Sequence, residues 1–184
     1  MRIFVAVDIP AEVRTRLAEY MARVKSYAPE SRWARVEGLH VTLKFVGEVK
    51  DPKLEEIKRA LATVKAAPFD VSFENIGFFP HAKSPRVFWA GVQGGDALPV
   101  LARDVDQKLS TLGIAREEKD YHPHLTLARA GTRDPHSLKA LVPLLAAEAA
   151  PQFGTMTARE FWLFRSQPGP GGSKYTKLER YGLG

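Results

Sequence analysis

The chain has 184 residues, of which 45% are hydrophobic and 26% charged, proportions typical of a single globular domain in water. It contains no cysteine, which excludes disulfide bonds, thiolate metal sites and a cysteine nucleophile. The net charge of +6 is compatible with an anionic partner such as nucleic acid, and equally with solvated surface residues, since the basic residues form no block.

The apolar runs of the chain are short. The first, Ile3–Val7, is followed at once by Asp8, which argues against a signal peptide. No apolar run approaches the roughly 20 residues that span a membrane. These observations favour a cytoplasmic protein without a membrane partner.

Strand and helix patterns alternate through the first half. Pro10 opens one helical pattern, and Asp51-Pro52 opens the next with a potential N-cap followed by a proline. The predicted elements are a strand at 3–7, a helix at 10–27, an extended segment at 31–36, a strand at 39–46, a helix at 51–66 and a half-exposed strand at 69–73.

The second half repeats this order, and Asp134-Pro135 repeats the helix start of Asp51-Pro52. We therefore expect an internal duplication: one domain over 1–184, built of two pseudo-symmetric lobes. The predicted elements are a proline-bounded connector at 78–85, strands at 87–92 and 123–129, helices at 98–109 and 134–145, a long strand at 153–164, a Gly/Pro-rich turn at 167–173 and a strand at 175–181.

Each half contains one copy of a short motif. The copies are His40-Val41-Thr42-Leu43 and His124-Leu125-Thr126-Leu127, close to half the chain apart. Because side chains alternate along a strand, each copy would place its His and Thr on one face and its aliphatic residues on the other. Two such strands across a cleft would gather two His and two Thr around one cavity.

These residue types suit phosphodiester chemistry without a metal ion. One imidazole can act as base and the other as acid near neutral pH. The hydroxyls of Thr42 and Thr126 can donate to anionic oxygens, and Arg129, three residues after Thr126, can pair with a phosphate. The set predicts a site that stabilises a phosphorane-like transition state.

Simpler interpretations exist for each feature. A single His-x-Thr-x motif is most often an ordinary strand histidine, and only the repetition in matched contexts reverses that balance. His122 and His124 could share a metal ion, but no nearby set completes a zinc pattern. His81 and His136 are expected to be exposed. Six aromatic residues are predicted to be core residues, not a base-stacking platform: Phe45, Phe73, Phe78, Phe79, Phe88 and Trp89.

With these residues identified, the sequence resembles the 2H phosphoesterase superfamily, and within it the RNA 2′,3′-cyclic phosphodiesterase (2′-5′ RNA ligase) family. Three segments carry the resemblance: Arg2–Pro10, Trp33–Val49 and Pro123–Arg129. It implies an α+β fold, bilobal and duplicated, in which two antiparallel sheets line a central cleft with helices outside. It also implies a monomer with no metal or other cofactor.

The resemblance further implies a reaction and residue roles. The enzyme would hydrolyse a terminal RNA 2′,3′-cyclic phosphate to a 2′-phosphomonoester, with tRNA fragments as one candidate substrate and reversible 2′-5′ ligation as an associated activity. His124 would accept the proton of water and His40 would protonate the leaving oxygen. Thr42, Thr126 and Arg129 would hold the phosphate. Candidates for stacking on bases are Phe4, Trp33 and Tyr175.

Two other functions remain open from the residues alone. The first is a non-catalytic RNA-binding module on the same scaffold, although binding alone needs no pair of proton carriers. The second is a phosphodiesterase for a small cyclic nucleotide or an ADP-ribose cyclic phosphate. The basic charge favours the longer anion, whose binding should weaken steeply with salt.

Overall fold

Nine strands and four helices make up the fold in the computed structural model, which describes all residues 1–184. Short 3₁₀ turns at Lys25–Tyr27 and Val36–Gly38 flank the second strand. The elements in chain order are β1 (Arg2–Asp8), α1 (Ala11–Val24), β2 (Arg32–Trp33), β3 (His40–Glu48), α2 (Asp51–Leu61), β4 (Phe69–Phe79), β5 (Val87–Gln93), α3 (Ala97–Ser110), β6 (His124–Arg129), α4 (Leu141–Ala146), β7 (Gln152–Ala158), β8 (Glu160–Gln167) and β9 (Lys174–Gly182).

The strands form two antiparallel sheets. One has the order β3-β1-β8-β9, and the other has the order β2-β6-β5-β4-β7. Apart from the short β2, the two orders correspond strand for strand, with β3 matching β6 and β1 matching β5. The predicted α+β class with two antiparallel sheets is therefore confirmed, whereas the division of a single domain into two lobes stays a prediction.

Each half of the chain donates two strands to the sheet of the other half: β2 and β4 from the first half, β8 and β9 from the second. β4 follows α2 in the first half but pairs with β5, and β8 follows the second-half elements but pairs with β1. The prediction of one long strand over 153–164 is wrong for the same reason. β7 and β8 are separated at Arg159 and belong to different sheets. The strand-like pattern of the sequence continues through this point, although the chain passes there from one sheet to the other.

Three other boundaries differ from the prediction. α2 ends at Leu61, where the Thr63 hydroxyl bonds the Ala60 carbonyl and closes the last turn. Its N-cap is Lys50, so the prediction of Asp51 as the cap is wrong. β4 runs through Phe79, so the connector begins only at the following proline.

The fourth helix is much shorter than the predicted 134–145. α4 covers Leu141–Ala146 and is preceded by turns. Pro143 explains the difference, because in a helix that began at 134 it would lie in the interior and clash with the preceding turn. In the observed helix it lies in the first turn, where its missing N–H costs nothing.

The main core is a cluster of 40 buried residues that includes side chains from both sheets and all four helices. A separate small cluster of Phe4, Ala6 and Phe164 lies on the opposite face of β1 and β8. That second face is the one that the site uses. None of the helices has the length and apolar character needed to cross a membrane.

Candidate active site

A register shift interrupts the first motif strand. β1 pairs Val5 with Lys44 and Ala6 with Thr42, which leaves Leu43 without a partner. This is the geometry of a β-bulge, in which two residues of one strand face one residue of its neighbour. The bulge resets the alternation of side chains directly after the motif.

The second motif strand carries the same shift at the same motif position. β5 pairs Phe88 with Ala128 and Trp89 with Thr126, which leaves Leu127 unpaired. The first six residues of β3 and all six of β6 share one burial sequence: half-buried, buried, half-buried, buried, buried, exposed. The structure therefore repeats the local backbone of the motif and not only its residue types.

The bulges decide which side chains reach the cleft. Uninterrupted alternation would turn Arg129 away from the face of His124 and Thr126. With the bulge, Ala128 occupies the core side and Arg129 is exposed in the cavity. The equivalent residue of β3 is Phe45, which is 62% exposed, so the prediction of Phe45 as a core residue is wrong.

All five predicted site residues line one cavity of about 390 Å³ between the two motif strands: His40, Thr42, His124, Thr126 and Arg129. The lining also contributes Arg32 and Arg35 but no Asp or Glu. A shallower cavity of about 450 Å³ against α1 is lined in part by two glutamates and contains no histidine. Of these two cavities, the one between the motif strands suits an anion.

The two imidazoles are held in the same way. Nδ1 of His40 lies 2.6 Å from the Gly38 carbonyl oxygen, and Nδ1 of His124 lies 2.7 Å from the His122 carbonyl oxygen. A carbonyl oxygen only accepts, so each Nδ1 carries a proton and donates it. In the neutral ring Nε2 is then the basic nitrogen, and in neither ring does Nε2 have a hydrogen-bond partner in the protein.

Aromatic rings surround His40. Its ring stacks on Phe4 at 4.5 Å between centroids, lies 5.9 Å from Phe164 and meets the edge of Tyr175 at 5.1 Å. Burial lowers the pKa of His40 below its ordinary value, and the bond to the Gly38 carbonyl opposes this only in part. This wall of rings fixes the plane of the imidazole.

His124 has fewer neighbours. Phe79 meets it edge-on at 4.9 Å between centroids. Burial is again the largest cause that lowers its pKa, and the positive charge of Arg129 acts in the same direction. Both histidines therefore favour the neutral form in the free protein.

Three polar groups that line the cavity are available to bind an anion. The hydroxyls of Thr42 and Thr126 have no hydrogen-bond partner in the protein, and the Arg129 guanidinium makes no ion pair. Each can therefore donate to oxygens of a bound anion without breaking an existing contact.

The three predicted stacking residues differ in exposure. Phe4 is 2% exposed beneath His40, so its proposed role of stacking on a base is wrong and its contact is with the imidazole. Trp33 and Tyr175 do line the cavity. The indole N–H of Trp33 donates to the Ala28 carbonyl, which holds that ring at the cavity wall.

A buried ion pair under β3 was not anticipated from the sequence. Lys44 Nζ lies 2.8 Å from Asp106 Oδ1 and donates to the Ala115 carbonyl at 2.7 Å. Burial raises the pKa of Asp106, but the bonds from Lys44 and the Glu117 N–H outweigh it and lower the pKa overall. The sequence carried a faint signal, a lysine directly after the motif, but only the bulge turns it inward.

The remaining histidines lie outside the pair of His40 and His124. His81 and His136 are exposed, as predicted. No group of three or more His, Asp or Glu side chains is arranged to hold a metal ion.

Comparison with known proteins agrees with this geometry. The LigT like phosphoesterase family profile matches twice, over residues 7–89 and 92–175, so each match contains one motif. The RNA 2′,3′-cyclic phosphodiesterase of Archaeoglobus fulgidus is 36% identical over 178 residues, covering 97% of this chain and 98% of that protein. The protein of the same name from Methanothermobacter thermautotrophicus is 32% identical and covers 100% of this chain and 99% of that protein.

The same relation holds at the level of structure. The crystal structure of Escherichia coli LigT complexed with 3′-AMP superposes with a TM-score of 0.79 at 28% identity, covering 99% of this chain and 97% of that chain. These comparisons define the class as a 2H phosphoesterase. The chain belongs to the LigT-like phosphoesterase family, which confirms the predicted superfamily and the prediction of an enzyme.

Proposed function

We propose that the protein hydrolyses RNA ends that carry a 2′,3′-cyclic phosphate and leaves 2′-phosphomonoester ends. One observation carries the proposal: two imidazoles, each with Nδ1 bound to the carbonyl two residues earlier and Nε2 free, face one cavity lined by arginines. The names of the relatives from A. fulgidus and M. thermautotrophicus support the choice of RNA as substrate.

The two histidines divide the proton transfers. His124 Nε2 takes a proton from water as its oxygen forms a bond to phosphorus. The bond from phosphorus to the 3′ oxygen breaks, and His40 Nε2 gives its proton to that oxygen. The product carries a 2′-phosphate and a 3′-hydroxyl, and solvent returns the two histidines to their starting forms.

The remaining polar groups act on the charge that develops at phosphorus. The free hydroxyls of Thr42 and Thr126 flank the histidines of their own strands and donate to the non-bridging oxygens. Arg129 adds a fixed positive charge on the side of His124. Donors placed before the reaction stabilise such a transition state without reorganisation.

The cavity also has room for the bases near the cyclic end. The exposed rings of Phe45 and Tyr175 offer faces on which bases can stack, and Arg32 and Arg35 extend the positive charge beyond the phosphate site. These features favour an RNA end over a small cyclic nucleotide.

The same residues would run a ligation. If the 5′-hydroxyl of a second RNA replaces water, His124 takes its proton and the cyclic phosphate opens to a 2′-5′ linkage. This is hydrolysis with a different nucleophile, so both reactions should depend on the same histidines.

The test is a product assay on an oligoribonucleotide ending in a 2′,3′-cyclic phosphate, with excess chelator. We expect a 2′-phosphate product, and a loss of about 10²–10⁴-fold in kcat for His40→Ala and for His124→Ala, the range for general acid–base groups. His81→Ala and His136→Ala are matched controls because both side chains are exposed.

Three results would contradict the proposal. If the double variant of His40→Ala and His124→Ala turned over at the wild-type rate, the histidines would have no part in catalysis. A 3′-phosphate product would reverse the assignment of the leaving oxygen. Tight RNA binding without turnover of any cyclic phosphate would favour a binding module.

A further inference from the structure

The residues opposite the two histidines differ. In the β1–β3 pair, Asp8 lies directly across from His40, whereas in the β5–β6 pair Gly91 lies across from His124. Directly opposed residues of an antiparallel pair share a face, with Cβ atoms about 4.5–5.5 Å apart. One histidine therefore has a carboxylate beside it, and the other has none at the corresponding position.

The glycine is enforced by its surroundings. A Cβ added to Gly91 would lie 2.3 Å from the backbone carbonyl oxygen of Glu74. No side chain fits there without moving β4. The difference between the two halves is thus fixed by backbone packing, and a carboxylate is available beside His40 only.

Asp8 is held firmly in place. Its Oδ1 accepts from the Ile9 N–H at 2.9 Å and from Arg14 at 2.8 Å, and its Oδ2 lies 2.6 Å from Lys177 Nζ. The side chain is 30% exposed. Arg14 on α1 and Lys177 on β9 are thus the cations on the His40 side, and the charge of Arg14 acts on His40 in opposition to that of Asp8.

The other charged groups of the cavity lie on the far side. His124 and Arg129 belong to β6, and Arg32 belongs to β2. Arg35 is the exception, because its guanidinium donates to the Pro170 carbonyl in the turn between β8 and β9. Beside His124, the neighbours that affect its charge are Arg129 and His122. His124 therefore has positively charged or titratable neighbours, and His40 alone has an anion.

We propose that Asp8 is a positioning residue that selects His40 as the proton donor and leaves His124 as the acceptor. This inference rests on the proposed function. A donor must hold its proton before the reaction, yet burial works against a charged His40. The Asp8 carboxylate opposes that effect by attracting the proton, and no carboxylate does so for His124.

The direct test is NMR titration of the two imidazoles in Asp8→Asn. Asparagine keeps an acceptor for the Ile9 N–H and removes the charge, which also leaves Arg14 and Lys177 unopposed. We expect the pKa of His40 to fall and that of His124 to stay as in the wild type. An unchanged His40, or equal shifts of both histidines, would overturn the proposal.

A second variant reverses the sign. Lys177→Gln removes a cation beside Asp8, so the pKa of His40 should rise. Arg180→Gln is the matched control, since Arg180 is also a basic residue of β9 that pairs with a carboxylate, but its partner, Glu160, does not lie opposite His40. If Asp8→Asn failed to fold, the other two variants would still test the proposal. The pKa of His40 should rise in Lys177→Gln and stay unchanged in the control.

Kinetics give an independent measurement. In the free enzyme the proton donor is deprotonated as pH rises through its pKa. A lower pKa therefore reduces the rate on the alkaline side only. For Asp8→Asn we expect kcat/KM to fall about tenfold at pH 8, the effect of one neighbouring charge, with a gap that narrows as pH falls. A pH-independent loss would indicate a merely structural role.

The two proposals fail separately. If the titrations behave as expected but no RNA is hydrolysed, the proposed function fails and the electrostatic role of Asp8 stands. If hydrolysis occurs and Asp8→Asn leaves the titration of His40 unchanged, only the role of Asp8 is lost.

Discussion

The two motif strands are alike in backbone and different in charge. Each has a bulge at the fourth motif residue, the same burial sequence and a histidine whose Nδ1 donates to the carbonyl two residues earlier. They differ one residue after the bulge, in Lys44 against Ala128, and two residues after it, in Phe45 against Arg129. The two halves thus hold equivalent histidines in the same local backbone, and the residues around these histidines differ in charge.

The largest effect should come from Lys44, the charged residue of this comparison that is buried in the core. Lys44→Met leaves Asp106 buried with Arg116 and the Glu117 N–H as its remaining partners. Breaking a buried pair costs about 3–5 kcal/mol, and we expect the lower end, about 3 kcal/mol, in the free energy of unfolding measured with urea. Ala128 shows that the bulge itself does not require a lysine.

The control for this prediction is Lys58→Met, which removes a more exposed pair with Glu55 on α2 and should cost less than about 1 kcal/mol. The double variant of Lys44→Met and Asp106→Asn should recover much of the loss, because no lone charge stays buried. Equal losses for Lys44→Met and Lys58→Met would show that the buried pair is not special.

The next largest effect should come from Arg129, which lines the cavity. Arg129→Gln removes the one charge that the second strand adds to its motif. A bond to a charged group is worth about 1.5–3 kcal/mol, so kcat/KM should fall about 10–150-fold, and inhibition by inorganic phosphate should weaken. The salt dependence of RNA binding should become shallower, as expected when one phosphate contact is lost.

Phe45→Leu sharpens the comparison, because Phe45 holds the equivalent place on the first strand. It should weaken binding of RNA but leave inhibition by inorganic phosphate unchanged. Arg103→Gln, on the exposed face of α3, serves as a remote control. If the Phe45 and Arg129 variants lost phosphate inhibition equally, the two sides of the cavity would bind the anion alike.

The sequence allowed the main architecture and the five site residues to be predicted for a physical reason. Strand alternation, proline-opened helices and the repeated motif are local signals, and local signals survive in the sequence. His40 and His124 were found because both copies share their spacing, and the cavity does contain them together.

Features that depend on pairing between distant segments could not be predicted. The bulges arise from the register between neighbouring strands, so neither the inward turn of Lys44 nor the exposure of Phe45 follows from alternation. The position of Asp8 opposite His40 also depends on strand pairing. Arg129 was assigned to phosphate binding from its position three residues after Thr126, whereas the physical reason for its place in the cavity is the bulge.

The smallest predicted effect tests how the halves are joined. The Tyr121 hydroxyl, shortly before the second motif, donates to the backbone carbonyl of Thr42 in the first motif at 2.8 Å, and burial raises the pKa of Tyr121. Tyr121→Phe removes one hydrogen bond and should lower the free energy of unfolding by about 1 kcal/mol. Tyr27→Phe, at an exposed tyrosine without such a bond, should cost almost nothing.

The Tyr121 bond also allows a test of what sets the spacing of the two motif histidines. If it only stabilises the fold, kcat at saturating RNA should match the wild type well below the melting temperature. If it sets the spacing of His40 and His124, kcat should fall severalfold while KM stays constant, since proton transfer is sensitive to small displacements of the acid and base. We expect the second result, because the acceptor of this bond is the backbone carbonyl of Thr42. Thr42 pairs with β1 and also lines the cavity.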